Sequence, residues 1–190
     1  MAETMITTQY RSPIGLITLV SDGNALTELR LAQPQTQNHS KDPDIPIFAE
    51  TRHWLDIYFS RKKPDFTPLL KPQGSSFQQK VWRELLAIPY GQTTTYGAIA
   101  KRLNCRSAQA IGQAIHRNPI AIIIPCHRVI GSNGALTGYA AGLEIKQKLL
   151  TIEKFKPCFT LEEIILIQTQ TPSPHSPSEP CQNESGGPAK

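Results

Sequence analysis

The tetrad Pro125-Cys126-His127-Arg128 places a thiol, an imidazole and a guanidinium at consecutive positions. The thiolate, not the thiol, is the nucleophile of cysteine chemistry, and neighbouring cations favour it. An imidazole that reaches the sulfur, directly or through one water, can take its proton. A lone buried cysteine is more often structural than reactive, so these residue types alone leave both a structural thiol and a nucleophile open. Cys105, Cys158 and Cys181 form no C-x-x-C pair with Cys126 or with one another. That spacing argues against a zinc ribbon or a disulfide framework and for reduced thiols. The sequence calls for no metal and no cofactor.

A reactive thiol must be held by rigid elements. The apolar run 120–124 reads as a buried strand that delivers Cys126 at its end, and Gly131-Ser132-Asn133-Gly134 reads as the turn beyond. A last helix is expected from about Leu143 to Phe155, with Ile145, Leu149 and Ile152 on one side. Upstream, Ser75 or Ser76 can cap a helix carrying Phe77, Val81, Leu85 and Leu86, stopped by Pro89-Tyr90-Gly91. Two short helices, from about Thr95 to Leu103 and from about Ser107 to Arg117, flank a turn at Asn104-Cys105-Arg106. That is a helix-turn-helix pattern, and Ala108, Ala110, Gly112 and Ala114 would let the second helix lie close to a partner surface.

The 190-residue chain carries a net charge of +5, and its distribution is uneven. Residues 1–74 hold eight basic and eight acidic residues, residues 75–156 eleven and three, and residues 157–190 one and four. The excess therefore accompanies the helix-turn-helix and the cysteine, as a polyanion-binding surface would require. Before residue 75, Gly15 to Val20 and Ala25 to Leu31 read as strands of an antiparallel meander, residues 33–46 as a loop and Phe48 to Phe59 as a helix. Trp54, Leu55, Tyr58 and Phe59 read there as core, and nothing in this part points to chemistry. Residues 69–74 look like a joint between two domains, Leu161 to Leu166 like a short strand or helix, and the chain from about 171 like a disordered tail. No signal peptide and no apolar run near the roughly 20 residues of a membrane span is evident. A monomeric cytoplasmic protein, nuclear if eukaryotic, is expected.

From Asn118-Pro119 through Pro125-Cys126-His127-Arg128-Val129-Ile130 the sequence resembles the O6-alkylguanine-DNA alkyltransferases. The likeness spans about residues 75–155, including Phe77 to Trp82, Pro89-Tyr90-Gly91, Thr95-Tyr96-Gly97, Ala110-Ile111-Gly112, Gly138-Tyr139, Lys146, Leu149-Leu150 and Glu153. It implies an α/β (α+β) fold: a ribonuclease-H-like antiparallel sheet with a helix in residues 1–74, and a mostly helical, winged-helix-like domain in residues 75–156. Residues 157–190 would be a tail. It also implies irreversible, stoichiometric transfer of a methyl or other small alkyl group from O6 of guanine, in double-stranded DNA, to Cys126. The base would be flipped from the minor-groove side, and O4-alkylthymine is left open as a second substrate.

The resemblance assigns roles. Cys126 would accept the alkyl group, His127 and Glu153 would activate it through a water-relayed proton, and Tyr96 would protonate the departing base. Asn118 would tie the turn before the active-site segment. The carbonyls of Cys126 and Val129 would take the guanine amine, with Tyr139 walling the pocket. Ala140 and Ser132 would lie along the substrate pocket, and Ser107, Ala108, Gln109 and Gly112 would face DNA. Gln109 stands where the family often has an arginine that enters the base stack, and Ala140 where some members have serine. No cysteine precedes Cys105, so the zinc ligands of some members' first domains have no counterparts. Two other readings are open: a module that binds alkylated DNA without repairing it, and a Cys-His hydrolase unrelated to DNA.

Overall fold

Strand β1 (Ile6–Ser12), β2 (Gly15–Ser21) and β3 (Leu26–Leu31) form an antiparallel sheet in the order β1-β2-β3. The computed structural model describes residues 5–31 and 44–153. The first hairpin turns at Gly15, whose φ of 118° is open to glycine and strained for any other residue. Ser12 Oγ donates to the Gly15 carbonyl at 2.6 Å. Helix α1 (Pro46–Phe59) opens with proline in its first turn, where the missing N–H costs nothing. It buries Phe48, Thr51, Leu55 and Tyr58 against the sheet, and its apolar side chains share one core with Ile17, Leu19, Leu26 and Leu29.

The outer edge of β3 would expose unpaired backbone groups, and two separate loops cover it. Leu26 N donates to Leu69 O and Lys71 N to Leu26 O, both at 2.8 Å. Further along, Leu29 N donates to Pro119 O at 2.9 Å and Ala121 N to Leu29 O at 3.0 Å. The sheet thus fixes the chain immediately before the Cys126 segment.

Helix α2 (Ser76–Leu86) starts in a capping box, with Ser75 Oγ accepting from Gln78 N and the Gln78 side chain accepting from Ser75 N. Val81, Trp82 and Leu85 are its buried face, while Leu86, expected on that face, is 44% exposed. Leu86 lies one helical step of about 100° beyond Leu85, which carries it past the edge of the buried stripe. Strand β4 (Thr94–Thr95) pairs in parallel with β5 (Val129–Ile130). Between them lie α3 (Tyr96–Arg102), capped by Thr95 Oγ1, and α4 (Ala108–His116), capped by Ser107 Oγ. Asn104, with φ of 50°, makes the turn that joins the two helices.

The expected strand over residues 120–124 is not a strand. After one bridge between Leu29 and Ile120 the chain folds into tight turns, with Ile123 N on Ala121 O and Ile124 N on Ile120 O. Ile122 sits at φ of 69°, a strained conformation for a β-branched residue. The run is apolar because Ile120, Ile122 and Ile124 are fully buried between sheet and helices, not because it is pleated. Helix α5 (Leu143–Ile152) ends with Glu153 as its cap, short of the expected Phe155. Leu149 is buried and Ile145 and Ile152 partly so, but Lys146 and Leu150 are buried with them.

The three-stranded sheet followed by a helical part is the mixed α/β architecture that the resemblance implies. The expected tail, the element at Leu161–Leu166 and most of the 33–46 loop lie outside the described residues. Among the described residues no helix is long and apolar enough to cross a membrane.

Trp82 Nε1 donates to Ala114 O at 2.9 Å, locking α2 onto α4 with both residues buried. Trp82→Phe should leave that carbonyl unpaired and lower the unfolding free energy by about 1–3 kcal/mol. Urea unfolding followed by far-UV circular dichroism is the check.

Candidate active site

Cys126 opens a 3-10 turn (Cys126–Arg128) in which it, His127 and Arg128 are all buried. Its thiol faces a cavity also lined by Tyr96, Gln109, Gly112, Asn118, Gly138, Tyr139 and Ala140. Burial pushes the thiol pKa up, and two side chains oppose it: the Asn118 amide and the Lys146 ammonium. The resting sulfur is therefore protonated, against the sequence expectation that adjacent cations would pre-form the thiolate. The reason is direction. The Arg128 guanidinium leaves the sulfur and binds Ile88 O at 2.6 Å and the Glu153 carboxylate.

Asn118 closes the strained turn and reaches the sulfur with one side chain. Its Oδ1 accepts from Ile120 N at 3.1 Å, while Nδ2 donates to Ile124 O at 2.8 Å and to Cys126 Sγ at 3.2 Å. A donor on sulfur favours the thiolate as it forms. Lys146 is fully buried on α5, where its Nζ donates to Val129 O at 2.6 Å and Thr137 O at 2.5 Å. Burial lowers its pKa to about 8, and the nearby sulfur pulls it back upward. It remains a cation at neutral pH.

His127 and Glu153 are both buried, with His127 Nε2 2.7 Å from Glu153 Oε1. A carboxylate only accepts, so Nε2 carries the proton, a tautomer assigned from the partner. Nδ1 is then a bare lone pair, and it is buried with no hydrogen-bond partner among the described residues. Burial lowers the pKa of His127, with Glu153 opposing, and the ring rests neutral. For Glu153 burial acts upward, but hydrogen bonds and charge from His127 and Arg128 outweigh it and hold the carboxyl at about 2.

Glu153 collects donors from four residues in three parts of the chain. Oε1 takes His127 Nε2, Arg128 at 2.9 Å and the Tyr58 hydroxyl at 2.8 Å. Oε2 takes Arg128 Nε at 2.8 Å and Gly91 N at 2.9 Å. Gly91 is required there: its φ is 74°, and a Cβ would lie 2.9 Å from Glu153 O. The Arg128 guanidinium also lies 5.7 Å from the centre of the Tyr90 ring.

Tyr96 stands across the cavity, its hydroxyl 3.3 Å from Thr137 O and 3.5 Å from Gly138 O, both at the long end of hydrogen bonding. Burial raises its pKa, so it keeps its proton. The Tyr139 hydroxyl is buried without a well-formed partner among the described residues, and burial together with the Cys126 sulfur raises its pKa well above the ordinary value. The carbonyls of Cys126 and Val129 each accept one bond already, from Val129 N and Lys146, which leaves one lone pair apiece. Gln109 and Gly112 line the cavity from α4, and Ser107 and Ala108 are exposed at the start of that helix. Ser132 is exposed on the turn after β5 and does not line the cavity. That turn folds back on itself, with Gly131 N bonded to Ala135 O, and carries Ser132 outward.

Sequence reasoning misses three members of this arrangement. Arg128 reads as a cation near the thiol and serves Glu153 instead. Lys146 enters only as part of the resemblance; a lysine between apolar helix positions is the signal that could have found it. Tyr58 reads as core, and its pattern on α1 carries no signal that its hydroxyl meets Glu153. Among the described residues no group of three or more His, Cys, Asp or Glu is placed to hold a metal ion.

Two family descriptions match the chain: 6-O-methylguanine DNA methyltransferase, ribonuclease-like domain, over residues 5–71, and its DNA binding domain over residues 76–155. The methylated-DNA–protein-cysteine methyltransferase of Methanosarcina acetivorans is 45% identical over 148 residues, covering 76% of this chain and 95% of that protein. The Mycobacterium tuberculosis protein of the same name is 46% identical over 147 residues, 75% of this chain and 88% of its own. Among solved structures, Mycobacterium tuberculosis OGT in complex with DNA superposes with a TM-score of 0.69 at 44% identity, covering 77% of this chain and 91% of that one. The O6-methylguanine methyltransferase of the same organism, in a separate structure, gives 0.70 at 38% identity, over 86% and 99% of the two chains. With both family descriptions matched in order and relatives this similar over most of their length, the chain belongs to the 6-O-methylguanine DNA methyltransferase family.

Proposed function

We propose that this protein repairs double-stranded DNA by moving a methyl or other small alkyl group from O6 of guanine to Sγ of Cys126, once per molecule. The observation that carries the reading is a buried thiol lining a cavity, followed in the same 3-10 turn by a neutral His127 whose Nε2 is bonded to an ionised carboxylate and whose Nδ1 has no hydrogen-bond partner among the described residues. Family membership supplies the substrate class. Residues 1–74 act as scaffold, residues 75–156 bind DNA and carry the transfer, and residues 157–190 are a tail.

The step balances without a cofactor. The Cys126 proton passes to His127 Nδ1, directly or through one water, and the imidazolium is stabilised by Glu153 across the 2.7 Å contact. The sulfur, held by the Asn118 amide and near the Lys146 cation, attacks the alkyl carbon in line. The S–C bond forms as the C–O6 bond breaks, and the electron pair stays on guanine O6. The Tyr96 hydroxyl supplies a proton to the departing base, and the proton held by His127 returns to Tyr96 through solvent, so the thiol proton is in net terms delivered to guanine. The thioether that results cannot be reversed by proton transfer, so each molecule acts once.

A base inside a duplex does not reach a sulfur at the back of a cavity, so the guanine is extruded. Helix α4 approaches from the minor groove, where Ala108 and Gly112 keep its surface low. A Cβ at Gly112 would meet nothing in the protein nearer than the Tyr96 ring at 4.0 Å. Its openness is therefore available to the DNA. Gln109 fills the gap left by the base with a neutral amide.

Incubation with a duplex containing O6-methylguanine should add one methyl mass to the peptide bearing Cys126. Cys126→Ala should abolish transfer and keep DNA binding. Lesion binding with no added mass would leave a module that recognises without repairing. Gln109→Arg should tighten binding to that duplex by about tenfold, because guanidinium adds charge and a stacking plane; fluorescence anisotropy at fixed salt checks this. Because folding depresses the Glu153 pKa from 4.5 to about 2, its contribution is present above pH 4.5 and lost as pH falls toward 2. That contribution is about 3 kcal/mol. Denaturant unfolding between pH 6 and pH 3 should show a fall in stability for the wild type that Glu153→Gln largely lacks.

A further inference from the structure

The residue that the transfer chemistry leaves unused is Tyr58. It belongs to α1, in the part of the chain that supplies none of the other hydrogen bonds made to the Glu153 carboxylate among the described residues, which come from Gly91, His127 and Arg128, and its side chain is fully buried. Its hydroxyl donates to Glu153 Oε1 at 2.8 Å and lies 3.3 Å from His127 Nε2. Burial and the adjacent carboxylate raise its pKa well above the ordinary phenol value, so it is a permanent donor.

The ring is held on several sides. Trp54 stacks on it at 5.4 Å, and Phe59, Tyr90 and His127 meet it edge-on. Little freedom is left to the hydroxyl. Packing alone would be served as well by phenylalanine, yet this oxygen sits at the junction of the two groups that govern the thiol proton.

We propose that Tyr58 is a positioning residue for the transfer: its hydroxyl fixes Glu153 Oε1 on His127 Nε2, and so keeps Nδ1 as the unprotonated nitrogen that takes up the thiol proton. The inference rests on the transfer reading above. It makes the N-terminal part a participant in activation rather than a support alone. Geometry gives the reason. Oε1 is shared by His127, Arg128 and Tyr58, and Arg128 grips both carboxylate oxygens from one direction. Without the phenol the carboxylate is free to pivot toward the guanidinium. The imidazole then loses its anchor, and the proton distributes between Nδ1 and Nε2.

Tyr58→Phe removes one oxygen and keeps the ring contacts. Oε1 retains two donors, so no buried group is orphaned and the variant folds. Three measurements on the full chain test the role. Single-turnover transfer from an O6-methylguanine duplex should slow by roughly tenfold or more, while the Kd for that duplex stays within about twofold. Nitrogen-15 spectra of labelled histidine should show His127 as one Nε2–H tautomer in the wild type and as a mixture in the variant. In a Glu153→Gln background, Tyr58→Phe should produce no further slowing, since it acts through that carboxylate. An unchanged rate, an unchanged tautomer, or a full additive loss in the double variant would each overturn the proposal. Should the wild type transfer nothing, the repair reading fails, and the tautomer comparison alone decides what Tyr58 does.

Discussion

A buried carboxylate must be paired or it will not stay ionised, and Glu153 is the buried carboxylate on which this structure turns. Removing such a charge from water costs several kcal/mol, and only well-placed donors offset it. Here they come from α1, from the glycine turn after α2, and from both His127 and Arg128 of the 3-10 turn. The acceptor itself caps α5. Elements far apart in sequence therefore meet at two oxygen atoms. A fold that separated any of them would leave either a naked carboxylate or a naked guanidinium in the core.

That constraint reaches the chemistry through one bond. Because Oε1 claims the Nε2 proton, the other imidazole nitrogen is a lone pair, and it has no partner among the described residues. Because Arg128 is spent on Glu153, it does not ionise the thiol. The sulfur is left to burial, which raises its pKa, and to Asn118 and Lys146, which pull it down. One 3-10 turn thus carries a protonated thiol and an unprotonated imidazole. The β3 edge contributes from the opposite side, since Leu29 pins Pro119 and Ala121 while Asn118 holds Ile120, Ile124 and the sulfur.

Much of this is legible in the sequence, and the limits have physical causes. The cap at Ser75, the helix starts near Thr95 and Ser107 and the spacing of α3 and α4 are local, so one segment suffices to read them. Cys126 and His127 stand out by adjacency, and Glu153, Asn118 and Tyr96 come through the resemblance. The run 120–124 misleads because burial between a sheet and helices demands the same apolar residues as a strand, and the φ of Ile122 and the turn hydrogen bonds around it separate the two. Arg128 misleads because adjacency in sequence says nothing of direction in a 3-10 turn. Tyr58 is invisible for a deeper reason. A phenol on an aromatic helix face is indistinguishable from packing until its distant partner is known, and that partner lies 95 residues away.

The resting state of the thiol also fits the proposed single use. A nucleophile that reacts once has no turnover to gain from being ionised in advance, and thiolate character is what exposes cysteine to oxidation. Cys126 is 8% exposed and protonated at rest, so it is guarded by the same burial that slows its ionisation. The imidazole of His127 is held in one tautomer by Glu153. A flipped guanine filling the cavity would exclude water from the sulfur and strengthen the charge interactions of Lys146, Asn118 and Glu153 with the forming ion pair. Protection and activation then stem from a single arrangement, and occupancy of the cavity decides which prevails.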